Sequence, residues 1–146
     1  MPKYFTFQQA VNLLPKLEPE IRQAILLRRE SERAEQELQH TNARVMMMGG
    51  MVIDRERLLA LQARRDATSM RLKETLESIQ REGCQVKDLD MGLIDFPTLF
   101  NGKEVCLCWK LGESTIAFWH GAEEGYAGRK RIDQEFLNKH EGDRPS

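Results

Sequence analysis

The first half of the chain has a hydrophobic pattern with the period of an α-helix. The stretch TFQQAV predicts a helix start, because Thr6 can accept a hydrogen bond from the amide of Gln9 while the Gln9 side chain reaches back. Pro15 predicts the end of a short N-terminal helix. Pro19 predicts the first turn of a new helix, since proline is tolerated there.

Two long, highly charged helices are predicted next, from about Glu20 to about Met48 and from about Arg55 to about Glu82. The apolar positions of the first lie near heptad spacing, at Ile21, Ala24, Ile25, Leu38, Val45 and Met48. The seam of the second is expected at Leu58, Leu61, Arg65, Thr68, Leu72, Leu76 and Ile79. Gly49-Gly50 separates the helices, and Asp54 is placed to cap the second one.

Each of these helices would be roughly 40 Å long. Similar lengths around a short link favour an antiparallel hairpin over residues 20–82. Both seams contain polar residues midway, so an isolated pair would bury little apolar surface. We therefore expect the hairpin to pack on a second copy of the chain, which predicts a homodimer.

After Gly83, aromatic and β-branched residues separated by turn signals predict a small antiparallel β-meander. Its strands are expected at Leu93–Phe100, Lys103–Lys110 and Thr115–Trp119. Asn101-Gly102 is a strong signal for a two-residue hairpin turn.

The predicted fold class is α+β, in a single domain over residues 1–146. A short N-terminal helix and a long antiparallel helical hairpin occupy residues 1–83. The meander and a C-terminal segment occupy residues 84–137, and a polar, frayed tail occupies residues 138–146.

Net charge, apolar runs and cysteine count argue against several classes of function. The formal net charge is −1, so nothing indicates bulk nucleic-acid binding, and no apolar run is long enough to span a membrane. The N-terminus lacks the features of a secretion signal. Three cysteines give an odd count without a disulfide framework, which favours reduced thiols in a cytoplasm.

Four stretches, FTFQQAVNLLPKL, KDLDMGLIDFP, VCLCWKLGE and FWHGAEEGYAGRK, together resemble a bacterial domain-of-unknown-function family, the one numbered 2203. The resemblance covers nearly the whole chain and is most specific from Gly92 to Arg129. It implies a single cytoplasmic bacterial domain. The positions that match the family pattern are Gly92, Asp95, Phe96, Pro97, Cys108, Trp109, Gly112, Glu113, Trp119, His120, Gly125, Ala127, Gly128 and Arg129. Cys106 departs from that pattern, which often has an aromatic residue there.

A metal site is one candidate chemistry. Cys106 and Cys108 are two residues apart, so both side chains leave the same face of a strand. A two-residue turn would put Cys106 opposite Trp119 and turn His120 to the other face, whereas a one-residue bulge would bring His120 over. Carboxylates at Asp95, Glu123 and Glu124 are further ligand candidates. Because a lone Cys-x-Cys pair is a weak zinc signal, the pattern favours buried cysteines and no cofactor.

Acid–base or thiol catalysis is a second candidate. His120 with Glu124 or Asp95 supplies the residue types of a base and its orienting partner, and Cys108 adds a possible nucleophile. The middle of a strand is a poor place for a reactive thiol, so core packing is favoured for Cys108.

The loop from Gly125 to Lys130 is a third candidate, because its GxxG spacing followed by basic residues can bind a phosphate or a nucleic acid. The favoured alternative is a turn that needs positive φ at one or both of its glycines. We expect ligand contacts, if any, at Glu113, Trp119 and Arg129. The sequence as a whole favours a non-catalytic module that dimerises through its helices and binds an unidentified protein partner.

Overall fold

The computed structural model describes residues 3–47 and 55–143. It confirms the α+β class: long helices precede an antiparallel sheet. The chain divides into two compact units. One comprises Met1–Arg22 with Leu76–Ser146, and the other comprises Gln23–Thr75.

Helix α1 runs without a break from Phe7 to Met47. The predicted capping box is present, since Thr6 N donates to Gln9 Oε1 at 2.9 Å and Gln9 N donates to Thr6 Oγ1 at 3.1 Å. The predicted separate N-terminal helix is wrong, because α1 continues through Pro15 and Pro19. These prolines are four residues apart and exposed, so they lie on one solvent-facing side where water can satisfy the freed carbonyls.

Helix α2 runs from Arg55 to Arg81. Its predicted seam is confirmed: the seven positions are buried or half-buried, while their neighbours Leu59 and Gln62 are exposed. The seam of α1 differs in part, because Leu27 and Ala34 are buried in its middle and Ile25 is only half-buried. The expected link residues Gly49, Gly50 and Asp54 lie outside the described residues.

Cross-helix bonds show that α1 and α2 are antiparallel. Within Gln23–Thr75, Arg65 Nη1 donates to Glu35 Oε2 at 3.1 Å, and the hydroxyls of Ser31 and Ser69 are 3.1 Å apart. As the residue number rises along α1, the number of the residue that it meets on α2 falls. Arg65, a polar residue midway along the seam of α2, is therefore paired across the hairpin.

The second half forms one antiparallel sheet. Its strands are β1 (Gln85–Asp88), β2 (Leu93–Phe100), β3 (Lys103–Lys110), β4 (Phe118–Gly121), β5 (Lys130–Arg131) and β6 (His140–Glu141). They are ordered β1-β2-β3-β4-β5, and β6 pairs with the free part of β2. A short helix, α3 (Gln134–Lys139), precedes β6.

Two details of the meander differ from the sequence expectation. The third predicted strand begins at Phe118 instead of Thr115. The predicted frayed tail is wrong for its first part, because His140 and Glu141 pair with Phe100 and Leu99. The hairpin turn is confirmed, since Phe100 pairs with Lys103 across Asn101 and Gly102.

The sheet has two different faces because side chains alternate along each strand. One face carries the apolar core, including Ile94, Phe96, Leu107 and Trp109, with Phe5 edge-on to Phe96 at 5.4 Å. The opposite face carries polar and sulfur side chains. In the described part of the chain, no helix combines the length and apolarity that a membrane crossing requires.

Candidate functional site

Asp95, Cys106, Cys108 and His120 lie together on the second face of the sheet. Register explains the cluster: Asp95 of β2 is opposite Cys108 of β3, and Cys106 of β3 is opposite His120 of β4. All four residues are buried. Three adjacent strands therefore supply one carboxylate, two thiols and one imidazole to the same patch.

The register of β4 corrects the sequence expectation. A two-residue turn would have paired Cys106 with Trp119, but Trp119 pairs with Leu107 and His120 pairs with Cys106. The connection from Leu111 to Ala117 is longer than such a turn, and the Glu113 carboxylate accepts from Lys110 N at its start. Because side chains alternate along a strand, this difference of one residue in register places the His120 side chain on the same face of the sheet as Cys106 and Cys108.

Asp95 and His120 form a buried pair. His120 Nε2 is 3.0 Å from Asp95 Oδ1, and the two residues are 2% and 1% exposed. His120 Nδ1 is 2.8 Å from the carbonyl of Gly121, which can only accept, so Nδ1 carries a proton. Nε2 and Oδ1 then need a shared proton between them. The pair is thus neutral overall and has both ring nitrogens engaged.

The two thiols of the cluster are held in their neutral form. Burial, reinforced by the charge of Asp95, raises the pKa of Cys106 and of Cys108 to about 12. Catalytic cysteines need a lowered pKa and partial exposure. Burial and the raised pKa both oppose formation of a thiolate at Cys108.

Potential metal ligands come close together in this cluster. One ligand atom from each of Asp95, Cys106 and His120 lies within 4.8 Å of the other two. Cys108 is adjacent, because it lies opposite Asp95 in the register of β2 and β3. This donor set of oxygen, nitrogen and sulfur matches what zinc accepts.

Glu113 and Arg129 form a second, neighbouring network. Arg129 Nη2 donates to Glu113 Oε1 at 2.6 Å and to the carbonyl of Cys108 at 3.2 Å. The guanidinium also lies over the rings of Phe118 and Tyr126, at 4.1 and 4.9 Å from their centroids. The charges of the predicted ligand-binding residues Glu113 and Arg129 thus compensate each other, and Arg129 connects this network to β3.

A cleft of about 520 Å³ lies beside this network, between the first turns of α1 and the end of β3. It is lined by Val11, Leu14, Pro15, Glu18, Arg22, Trp109, Gly112, Glu113 and Ser114. Of its charged lining residues, Glu18 and Arg22 pair with each other at 2.9 Å, and Glu113 pairs with Arg129. The cleft therefore presents few polar groups in need of a ligand.

Two further predicted site residues have partners other than the His120 side chain. Glu124 accepts from Gly121 N and from Lys130 Nζ, both at 2.9 Å, and these bonds lower its pKa. Trp119 lies on the apolar face, in ring contact with Phe100 and Phe136 at 5.2 and 4.8 Å. Of the three candidate catalytic residues, Asp95 and His120 pair with each other, whereas Glu124 bonds to Gly121 and Lys130.

The glycine-containing loop is a 3₁₀ turn over Tyr126–Gly128. The expected positive φ at its glycines is wrong: Gly125 has φ −105°, and Gly128 is outside the positive-φ set. A Cβ at Gly128 would lie 2.8 Å from Glu124 Cβ, so close approach explains that glycine. The basic residues Arg129 and Lys130 already pair with Glu113 and Glu124.

Sequence reasoning missed the C-terminal segment. Phe136 is buried and stacks on Phe100, Trp119 and His140. His140 Nε2 accepts from Phe7 N at 2.8 Å, so this imidazole caps α1. The sequence signal for α3 was Asp133, a residue type that often caps helices. The Asp133 side chain accepts a hydrogen bond from Phe136 N at the start of this helix.

Comparison with known proteins identifies one match. The model of a family described as "Uncharacterized conserved protein (DUF2203)" matches residues 3–132. No curated protein and no solved structure matches the chain.

Proposed function

The chain belongs to the DUF2203 family, and we propose that it is a cytoplasmic, non-catalytic interaction module that forms a homodimer through its helical hairpin. The observation that carries this proposal is an exposed apolar stripe on α2. Leu59 and Met70 are 55% and 58% exposed, and Ala63 and Ala67 lie exposed between them. These residues recur at helical spacing on the side of α2 opposite its seam with α1.

The alanines of this stripe let a second helix approach closely, while Leu59 and Met70 supply apolar area. The occupant that best fits is the same stripe of a second copy. In an antiparallel pair, Leu59 of one copy would face Met70 of the other. Glu56 lies three residues before Leu59, and Lys73 lies three residues after Met70. Glu56 of one copy would therefore face Lys73 of the other, which adds an ion pair at each end of the contact.

The buried cluster on the sheet supports a non-catalytic function. A general base must reach its substrate, and His120 is sealed from solvent with both ring nitrogens bonded. The acid–base enzyme alternative therefore has less support. Phosphate or nucleic-acid binding at Gly125–Lys130 also has less support, because both cations of the loop are paired. Three free cysteines agree with a reducing compartment.

Sedimentation equilibrium at micromolar concentration tests the dimer. We expect a mass of twice 17.0 kDa for the unaltered chain. Leu59→Glu combined with Met70→Glu should give a monomer, because it places charges inside the apolar contact. Leu26→Glu is the matched control, since Leu26 is 58% exposed but lies on α1.

A monomeric unaltered chain would refute the dimer. A dimer that the α2 double variant leaves intact would refute this surface. Circular dichroism of each variant checks that the helices remain, so that loss of the dimer is separated from loss of the fold.

A further inference from the structure

We propose that Asp95, Cys106, Cys108 and His120 form a structural site for a tetrahedral divalent metal ion of the zinc class. The ligand atoms of Asp95, Cys106 and His120 are within 4.8 Å of one another. Zinc bonds of 2.0–2.3 Å in a tetrahedron hold ligand atoms roughly 3.3–3.8 Å apart. Small side-chain rotations therefore suffice to bring these three atoms to an ion.

The orientation of His120 is that of a metal ligand. Its Nδ1–H donates to the carbonyl of Gly121 at 2.8 Å, the outer contact that fixes the tautomer of metal-bound histidines. This leaves Nε2 as the ligand atom, facing Asp95 Oδ1 at 3.0 Å. Two atoms with lone pairs at this distance need a cation between them, and a metal ion can take the place of the shared proton.

Cys108 is the fourth ligand. It shares a face with Cys106 and lies opposite Asp95 in the register of β2 and β3. Zn²⁺ with three anionic ligands and one neutral imidazole would carry one net negative charge. Arg129, which donates a hydrogen bond to the carbonyl of Cys108, places a compensating cation next to that charge.

The chemistry and burial of the donors define the kind of site. Thiolate and imidazole favour zinc over calcium or magnesium, which prefer all-oxygen sites. All four residues are buried, so the site is closed, as structural zinc sites are, with no open position for a substrate. The ion would join three strands, consistent with a module that has no catalytic function.

Metal titration of untagged protein, stripped with a chelator, tests the proposal. We expect one equivalent of Zn²⁺ to bind and to raise the thermal midpoint, because only the folded chain presents the site. Co²⁺ should give the visible bands of tetrahedral cobalt and a near-ultraviolet thiolate charge-transfer band. A chain that binds no Zn²⁺ stoichiometrically, or a Co²⁺ complex without the thiolate band, would overturn the site.

Variants assign the ligands. Cys106→Ala should weaken Zn²⁺ binding by roughly a hundredfold or more, since it removes a direct ligand. Cys108→Ala should reduce the charge-transfer band by about half, since one of two thiolates remains. Cys84→Ala is the control: its thiol bonds to the Ile79 carbonyl, and it should bind as the unaltered chain does. Undiminished binding by Cys106→Ala, or an undiminished band in Cys108→Ala, would overturn the assignment.

Discussion

At the scale of single residues, the Asp95–His120 pair shows how burial and hydrogen bonding act together. Each group would be costly to bury alone, because a charge removed from water needs a partner. Each is satisfied by the other, and Gly121 fixes the second ring nitrogen. Removing both members should therefore cost less than the sum of the two single removals.

We expect Asp95→Ala to lower the free energy of unfolding by about 3 kcal/mol, because it leaves a buried imidazole without its partner. His120→Ala should cost a similar amount, and the double variant should cost less than the sum of the two. Urea unfolding of the four proteins in a chelating buffer measures this coupling. Additive single and double losses would contradict a mutually stabilised pair.

Cys84 provides a pH prediction at the same scale. Burial raises its pKa to about 12 from the ordinary value of 9.0. The folded state thus retains a proton that the unfolded state loses, so this contribution to stability is complete below pH 9 and falls as pH rises toward 12.

The stability difference between the unaltered chain and Cys84→Ala should be constant up to about pH 8. By pH 10 it should change by about 1.4 kcal/mol at the expense of the unaltered chain. Urea unfolding of both proteins at matched pH values measures the change. A difference that does not vary between pH 8 and pH 10 would mean that the thiol ionises as easily in the folded state.

At the scale of elements, the helical hairpin has a seam on α2 that the spacing of residues predicts correctly and that includes polar residues. The seam of α2 follows from spacing alone, because helical neighbours three and four residues apart share a face. The bond between Glu35 and Arg65 lies within that seam. Stability of this element should therefore depend on its few buried apolar residues.

Two adjacent leucines of α1 test this dependence. Leu27 is 2% exposed and Leu26 is 58% exposed, although they are neighbours in sequence. We expect Leu27→Ala to lower the free energy of unfolding by about 2–3 kcal/mol, because it leaves a cavity. Leu26→Ala should change it by less than about 0.5 kcal/mol. Equal effects in chemical denaturation would contradict the orientation of α1.

At the scale of the whole molecule, the unit that contains the sheet uses both ends of the chain. Asp143 N donates to the Tyr4 carbonyl at 2.9 Å, and His140 accepts from the first amide of α1. Phe136 completes the aromatic cluster on the apolar face. The family match ends at residue 132, and residues 133–143 are therefore also part of the fold.

Phe136→Ala should lower the free energy of unfolding by about 3–4 kcal/mol, since Phe136 is buried against three other rings. Asn138→Ala, at an exposed position of the same short helix, is the control and should change it by less than about 0.5 kcal/mol. Thermal and urea unfolding measure both. A small effect of Phe136→Ala would mean that this segment contributes little to the sheet.

The sequence by itself determined the features that depend on neighbouring residues. The capping box at Thr6, the seam of α2 and the Asn101-Gly102 turn follow from contacts within a few positions, so their pattern was sufficient. The α+β class followed from the order of these elements.

Only the tertiary structure decided which chemical groups meet. His120 lies beside Asp95 and Cys106 because of the register in which β4 pairs with β3. That register is set by the connection between the two strands, where Glu113 accepts from Lys110 N and pairs with Arg129, which is distant in the sequence. The continuity of α1 depends on where Pro15 and Pro19 face, and the docking of His140 depends on a partner more than a hundred residues away. Such contacts leave no local period in the sequence, because they are selected by packing across the whole fold.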